Sequence, residues 1–356
     1  MVGLVKWSWV LLVHLLGSGK CSESSNFIVS SKGNLKVYWN IPTFQCKSYG
    51  MNFTEIADKY GIIQNPNDDF RGSNITILYD PGYFPAILNE SGKIIDRNGG
   101  IPQDGNLQTH LKLFQDSVNE QIPEENFSGL AIIDFESWRP TFRQNFGVLQ
   151  VYKNRSIERE ERLHPFWPSA FTEKEAQKKF EFYGKMFMEE TLSLGQKMRP
   201  KAKWGYYAYP YCFNKSPNNK AKNCPKEVQG ENDKLFWLFS ESALLLPSLY
   251  LQNDLTKKDR VELIEGRVNE ASRIADYIQQ RLKRPAIVPY FWYKYQDTRE
   301  FLRKDDLRNA FLMLSSLRVD GVIIWGSSND VNTKKKCSLL YSYLNDILGP
   351  ILINTT

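Results

Sequence analysis

The feature that most constrains this chain is an alternation of short apolar runs with longer helical patterns. The runs Lys36–Asn40, Thr76–Tyr79, Leu130–Phe135, Trp204–Ala208, Leu245–Tyr250, Ile287–Tyr293 and Val322–Trp325 read as strands. They are often continuously apolar, as expected of parallel strands buried on both faces. Helical patterns fall between most of them, at Leu107–Ile122, Glu173–Met198, Lys257–Leu282, Lys304–Leu317 and Lys334–Ile347. Thr172, Thr256 and Thr333 precede three of these and suit helix N-caps. Repeated strand-then-helix order implies a parallel sheet, and about seven such units point to a closed (β/α) barrel, with an open doubly wound sheet as the alternative. No glycine-rich loop follows the first run, which argues against a dinucleotide-binding domain. The 356 residues contain no internal repeat and no low-complexity linker, so one domain over 22–356 is expected.

Several features predict an exported protein. Lys6, the apolar stretch Trp7 to Leu16 and the small residues Gly17 to Gly19 read as a signal peptide over 1–21, too short to span a membrane. No later segment reaches membrane-span length, so no membrane association is expected. Seven N-x-S/T sequons occur, at Asn52, Asn74, Asn89, Asn126, Asn154, Asn214 and Asn354. Asn74 abuts a strand and is the weakest acceptor. Five cysteines are present, Cys21, Cys46, Cys212, Cys224 and Cys337, and export favours pairing them. Cleavage after Cys21 leaves an even four; cleavage after Gly19 leaves Cys21 free or intermolecular. Neither the cysteines nor the isolated His110 and His164 have metal-site spacing, so no metal or cofactor is expected. The formal net charge of +6 is mild and suits solubility or an anionic ligand. The densest basic cluster, Lys334 to Lys336, reads as a solvated helix start, and no nucleic-acid-binding arm is evident.

In a (β/α) barrel the chemistry sits at the C-terminal ends of the strands. Those ends carry Tyr79-Asp80, Asp134-Phe135-Glu136, Tyr207 to Tyr211, Tyr250, Tyr290 to Tyr295 and Trp325-Gly326-Ser327-Ser328. Singly, each reads as a packed rim residue; together they resemble a carbohydrate cleft. The sharpest segment is LAIIDFESWRP at 130–140. Spacing of i, i+2 places Asp134 and Glu136 on one face of a strand. The bland alternative is a solvated strand end with two unrelated acids. As a pair they repel, so one holds its proton to higher pH, as a general acid requires. Two acids on one side of the sugar do not supply both a proton donor and an opposite-face nucleophile. Substrate-assisted glycosidases, in which the sugar's own acetamido oxygen attacks, avoid that need.

The segment IDFESWRPTFRQN resembles the signature of hyaluronidases, glycoside hydrolase family 56, particularly those of bee and wasp venom. VYWNIPTFQC, ILYDPGYFPAI, RNGGIPQ, HPFWP, WGYYAYPYCFN, LLLPSLY, WYKYQD and IIWGSSNDVN resemble the same group, from about Asn34 to about Ile351. The resemblance implies a distorted TIM-like (β/α) barrel of about seven parallel strands. It implies hydrolysis of hyaluronan at β-1,4 bonds between N-acetylglucosamine and glucuronate, with chondroitin as a further candidate substrate. Glu136 matches the family's proton donor and Asp134 the group that orients the acetamido. Tyr207 and Trp325 match its pocket, Tyr250 a neighbour of the acid, and Tyr79, Arg139, Ser327 and Ser328 further cleft positions. The matching disulfides are Cys46–Cys337 and Cys212–Cys224; Cys21 has no counterpart. A secreted monomer is expected. A venom or salivary carbohydrate-binding protein without turnover is the alternative, against which the intact acids weigh.

Overall fold

The structure is a computed structural model and describes residues 35–355; the expected signal peptide and Cys21 lie outside the described residues. Ten strands are present among the described residues: β1 (Val37–Asn40), β2 (Ile75–Tyr79), β3 (Ala86–Glu90), β4 (Lys93–Arg97), β5 (Leu130–Asp134), β6 (Lys203–Tyr206), β7 (Leu244–Leu245), β8 (Ala286–Ile287), β9 (Tyr290–Trp292) and β10 (Val322–Trp325). The α-helices are α1 (Glu55–Tyr60), α2 (Leu107–Gln121), α3 (Gln150–Leu163), α4 (Ser169–Met198), α5 (Lys226–Lys234), α6 (Phe236–Glu241), α7 (Lys257–Gln279), α8 (Lys304–Ser316), α9 (Lys334–Tyr343) and α10 (Gly349–Thr355).

Every ladder is parallel except the β3–β4 hairpin. One sheet runs β2-β5-β6, a second β1-β10-β9, and β7 pairs with β8. Parallel bridges Tyr207↔Leu246 and Ser248↔Tyr290 extend the pairing beyond the short strands. Pro247 and Pro289 interrupt the two expected longer runs, because proline offers no N–H to a ladder. Gly205 lets β6 lie close to β7: a Cβ there would sit 2.6 Å from the Leu244 carbonyl oxygen. Between β1 and β2 the chain at Ile63 bonds to β1 through its backbone. Two residues on, the Asn65 amide donates to Ile75 O (2.8 Å) and accepts from Ile75 N (3.1 Å). A side chain thus stands in for a strand's hydrogen bonds at the edge of β2.

The central parallel strand β5 is buried on both faces. Leu130 and Ile132 of β5 pack with Ile75, Ile77, Leu246 and Ile323 in an inner cluster. Ala131 and Ile133 pack outward with Phe114, Phe180, Phe187 and Met188 of the helices. Of the expected N-caps, Thr256 accepts from Asp259 N and Thr333 from Lys336 N. Thr172 does not cap. Helix α4 begins earlier, at Ser169 after Pro168, and the Thr172 hydroxyl donates to Ser169 O. The last expected helix ends at Tyr343 and continues as a π turn over Leu344–Leu348.

Both expected disulfides are formed. Cys46–Cys337 joins the turn after β1 to α9, and Cys212–Cys224 closes a loop after β6. Among the described residues no helix is long and apolar enough to cross a membrane.

Candidate active site

Strand alternation builds the site. On β5, Leu130 and Ile132 face the inner cluster, and the same parity carries Asp134 and Glu136 to that side. Phe135 points the other way and locks the strand end: it stacks on Phe84 at 4.0 Å and meets the edge of Trp138 at 4.8 Å. Trp138 is itself held by its indole N–H donating to Pro85 O. The neighbouring strands add to the same row. Tyr79 lies opposite Asp134 in the β2–β5 register, and Tyr207 N donates to Ile133 O.

Asp134 is partly buried, and its pKa is pushed up to about 8, first by burial, then by the charges of Glu136 and Asp80. Glu136 opens to solvent, yet the surrounding walls displace enough water to raise its pKa, while Arg139 pulls it down. The Glu136 charge thus adds to burial in holding the proton on Asp134. Repulsion within the pair thus does not act chiefly on Glu136; its larger effect falls on Asp134, the more deeply buried of the two. Neither carboxylate has a hydrogen-bonded protein partner among the described residues. Asp80, the next acid, is engaged in an ion pair with Arg97 of β4.

Aromatic rings line one wall. The Trp325 indole N–H donates to the Tyr79 hydroxyl at 2.9 Å, tying the end of β10 to the end of β2. Trp325 stacks on Tyr250 (5.7 Å, 20° between planes), and Tyr207 packs edge-on against Tyr290 at 5.0 Å. Tyr79 stacks on Phe70 at 6.2 Å, and burial with the nearby Asp134 and Glu136 raises its phenol to about 12. These phenols stay neutral and serve as donors and apolar walls.

Beyond Glu136 lies a pocket of about 230 Å³ lined by Arg139, Tyr207, Tyr211, Ser248, Arg267 and Gln296. Arg139 sits over Tyr211 at 4.6 Å and donates to Gln144 O at 2.6 Å. Arg267 was not anticipated. It reaches in from α7, donates to Ser248 O at 2.6 Å, and burial lowers its pKa to about 10, leaving it cationic at neutral pH. No strand-end rule could find it, because its helix approaches the cleft only in the folded chain. Ser327 caps the turn Ser328–Asp330, accepting from Asn329 N, and so holds the loop after Trp325; Ser328 is exposed beside it. Asp330 of that turn accepts from Lys294 and from the Trp292 indole.

Of the sequons, Asn52, Asn89, Asn126, Asn154 and Asn354 are exposed, and Asn74 is half-buried. Asn214 is a correction. It is fully buried, donates to Lys222 O at 2.6 Å and accepts from Arg267 at 3.2 Å, so a glycan on its amide has no room.

The family model for hyaluronidase, glycoside hydrolase family 56, matches residues 25–356. The chain belongs to the hyaluronidase family. It is 49% identical to the hyaluronidase of Apis mellifera over 98% of this chain and 91% of that one. It is 48% identical to hyaluronidase A of Vespula vulgaris, over 90% of this chain and 96% of that one. Bee venom hyaluronidase, crystallised with a hyaluronic acid tetramer, is similar in structure with a TM-score of 0.88 and 51% identity. That alignment covers 90% of this chain and 99% of the crystallised one.

Proposed function

We propose that this chain is an exported endo-glycosidase that cuts hyaluronan between N-acetylglucosamine and glucuronate with retention of configuration. Glu136 acts first as acid and then as base. In this reading the strands close as a distorted barrel of about seven, with Ile63 and Asn65 bridging β1 and β2, and the protein works as a monomer. The observation that carries the mechanism is the placement of Asp134 and Glu136 on one face of one strand end. Asp80, the remaining acid nearby, is neutralised by Arg97. With both acids on one side, the acetamido oxygen of the substrate takes the part of the nucleophile on the opposite side.

The proton held on Asp134 explains how Glu136 is charged for the reaction. When the acetamido N–H donates to Asp134, that hydrogen bond stabilises the Asp134 carboxylate and lowers its pKa. That proton then resides on Glu136, within reach of the leaving oxygen. As the acetamido oxygen bonds to the anomeric carbon, the bond to the leaving oxygen breaks and takes the Glu136 proton. Positive charge developing on the acetamido nitrogen is met by Asp134. Tyr207 and Trp325 confine the group between rings, and Arg139 and Arg267 offer cations to a substrate carboxylate. Water attacks the anomeric carbon next and loses its proton to Glu136, while the bond from that carbon to the acetamido oxygen breaks and its electron pair restores the neutral amide.

Turbidity or gel assay of hyaluronan with the purified protein tests the reading beside Glu136→Gln. The variant should bind polymer and turn over slower by about 10²–10⁴-fold. Near-normal turnover by the variant would reject Glu136 as the acid, and binding without turnover by the unmutated chain would favour a carbohydrate-binding protein.

A further inference from the structure

The motif HPFWP, His164 to Pro168, has no part in the cleft. It forms the tip between α3 and α4, where Phe166 is 95% exposed, Phe171 64% and Trp167 45%. Contiguous exposed rings of this kind mark binding surfaces more often than chance. The tip is built rather than loose. Pro165 and Pro168 bracket the rings, Trp167 N donates to His164 O at 3.0 Å, and the Trp167 ring lies flat on His164 at 3.7 Å. Such preorganisation lowers the entropy lost on binding.

A trough of about 540 Å³ runs from this tip along α4, lined by Trp167, Phe171, Lys174, Glu175, Gln177, Lys178 and Glu181. Its far end is tied to the active-site loop, since the Glu181 carboxylate accepts from Phe142 N at 3.0 Å. From Glu181 to Ser169 the helix spans about 18 Å, which is how far the tip stands from the point where α4 meets that loop. The trough's charges are unequal in availability. Glu181 is engaged by Phe142 N and Gln177, and Glu175 by Lys178 and Lys179, while Lys174 has no ion-pair or hydrogen-bond partner among the described residues.

We propose that this tip and trough form a second binding site for an acidic polysaccharide, with Trp167 and Phe171 as sugar-stacking platforms and Lys174 as the carboxylate contact. The inference rests on the proposed function and extends it: one polymer chain occupies the trough and the cleft together. The charged and amide side chains along the floor suit a hydrated, carboxylate-bearing ligand better than lipid tails or a dry protein interface, which would have to desolvate them. Two sites on one polymer raise affinity only for chains long enough to span both.

The test uses the double variant Trp167→Ala/Phe171→Ala and the single variant Lys174→Glu, each with unfolding temperature measured to confirm the fold. On long hyaluronan, KM should rise on the order of tenfold, while kcat/KM on a hyaluronan octasaccharide stays unchanged. Both substitutions on a Glu136→Gln background should weaken polymer retention in affinity electrophoresis. That arm reads binding without turnover, so it stays informative if the catalytic reading fails. Unchanged KM and retention would overturn the proposal. So would variants that lose binding to anionic lipid vesicles, or concentration-dependent self-association, and keep their affinity for polymer.

Discussion

Asp134→Asn should make the protein more stable at alkaline pH while stopping its reaction. Asp134 titrates near pH 8 in the fold against 3.8 when free of its surroundings. Between those values the folded chain holds a proton that the unfolded chain has lost. Stability therefore falls as pH rises from about 4 to about 8, and is flat above that. A proton held over that whole span corresponds to at most about 6 kcal/mol, since each tenfold change in proton affinity is worth about 1.4 kcal/mol, and water entering from the cleft reduces it. Asparagine carries no charge and escapes the penalty. For a domain of this size that gain is on the order of 5–10 °C in Tm. Calorimetry of both proteins at pH 4.5 and pH 9 should show similar Tm values at the lower pH and a higher Tm for the variant at the upper one. A difference independent of pH, or a variant less stable at pH 9, would refute the placement of a strained carboxyl at this strand end.

Two further outcomes follow from the same structure. The acid pair must carry one proton to begin the reaction, so kcat/KM should peak on the acidic side of neutrality and fall as pH rises through about 8, where the upper proton is lost; a rate still climbing above pH 8 would contradict this. Cys46–Cys337 closes a loop of 291 residues, so Cys46→Ser/Cys337→Ser should lose about 5 kcal/mol by loop entropy, read as a lower midpoint in denaturant, and an unchanged midpoint would show that the crosslink constrains little.

The sequence displayed its strands and its central acids because both are local signals. A run such as LAIID is apolar on both faces, and the two acids that end it share the parity of its inner residues. Prolines at 247 and 289 were visible, yet how they split two expected runs depended on which N–H the ladder required. The β3–β4 hairpin is absent from the expected strands although it carries a local sign. Ser91-Gly92 joins two five-residue runs, and both residues take positive φ (53° and 86°), as a primed hairpin turn requires. Other features lay beyond local pattern. Arg267 enters the cleft from a helix, and Asn214 carries a sequon whose burial against α7 no tripeptide reveals. Which acid holds the proton depends on the relative burial of two residues two positions apart, which alternation alone leaves open.

The central claim is that the substrate's acetamido oxygen, and no protein carboxylate or direct water, displaces the leaving group. Its most direct test is proton NMR of a freshly cleaved hyaluronan oligosaccharide, read before mutarotation. Two inversions at the anomeric carbon return the starting configuration, so the new reducing-end N-acetylglucosamine should appear first as the β anomer. Initial appearance of the α anomer would mean a single direct attack by water and would contradict the account.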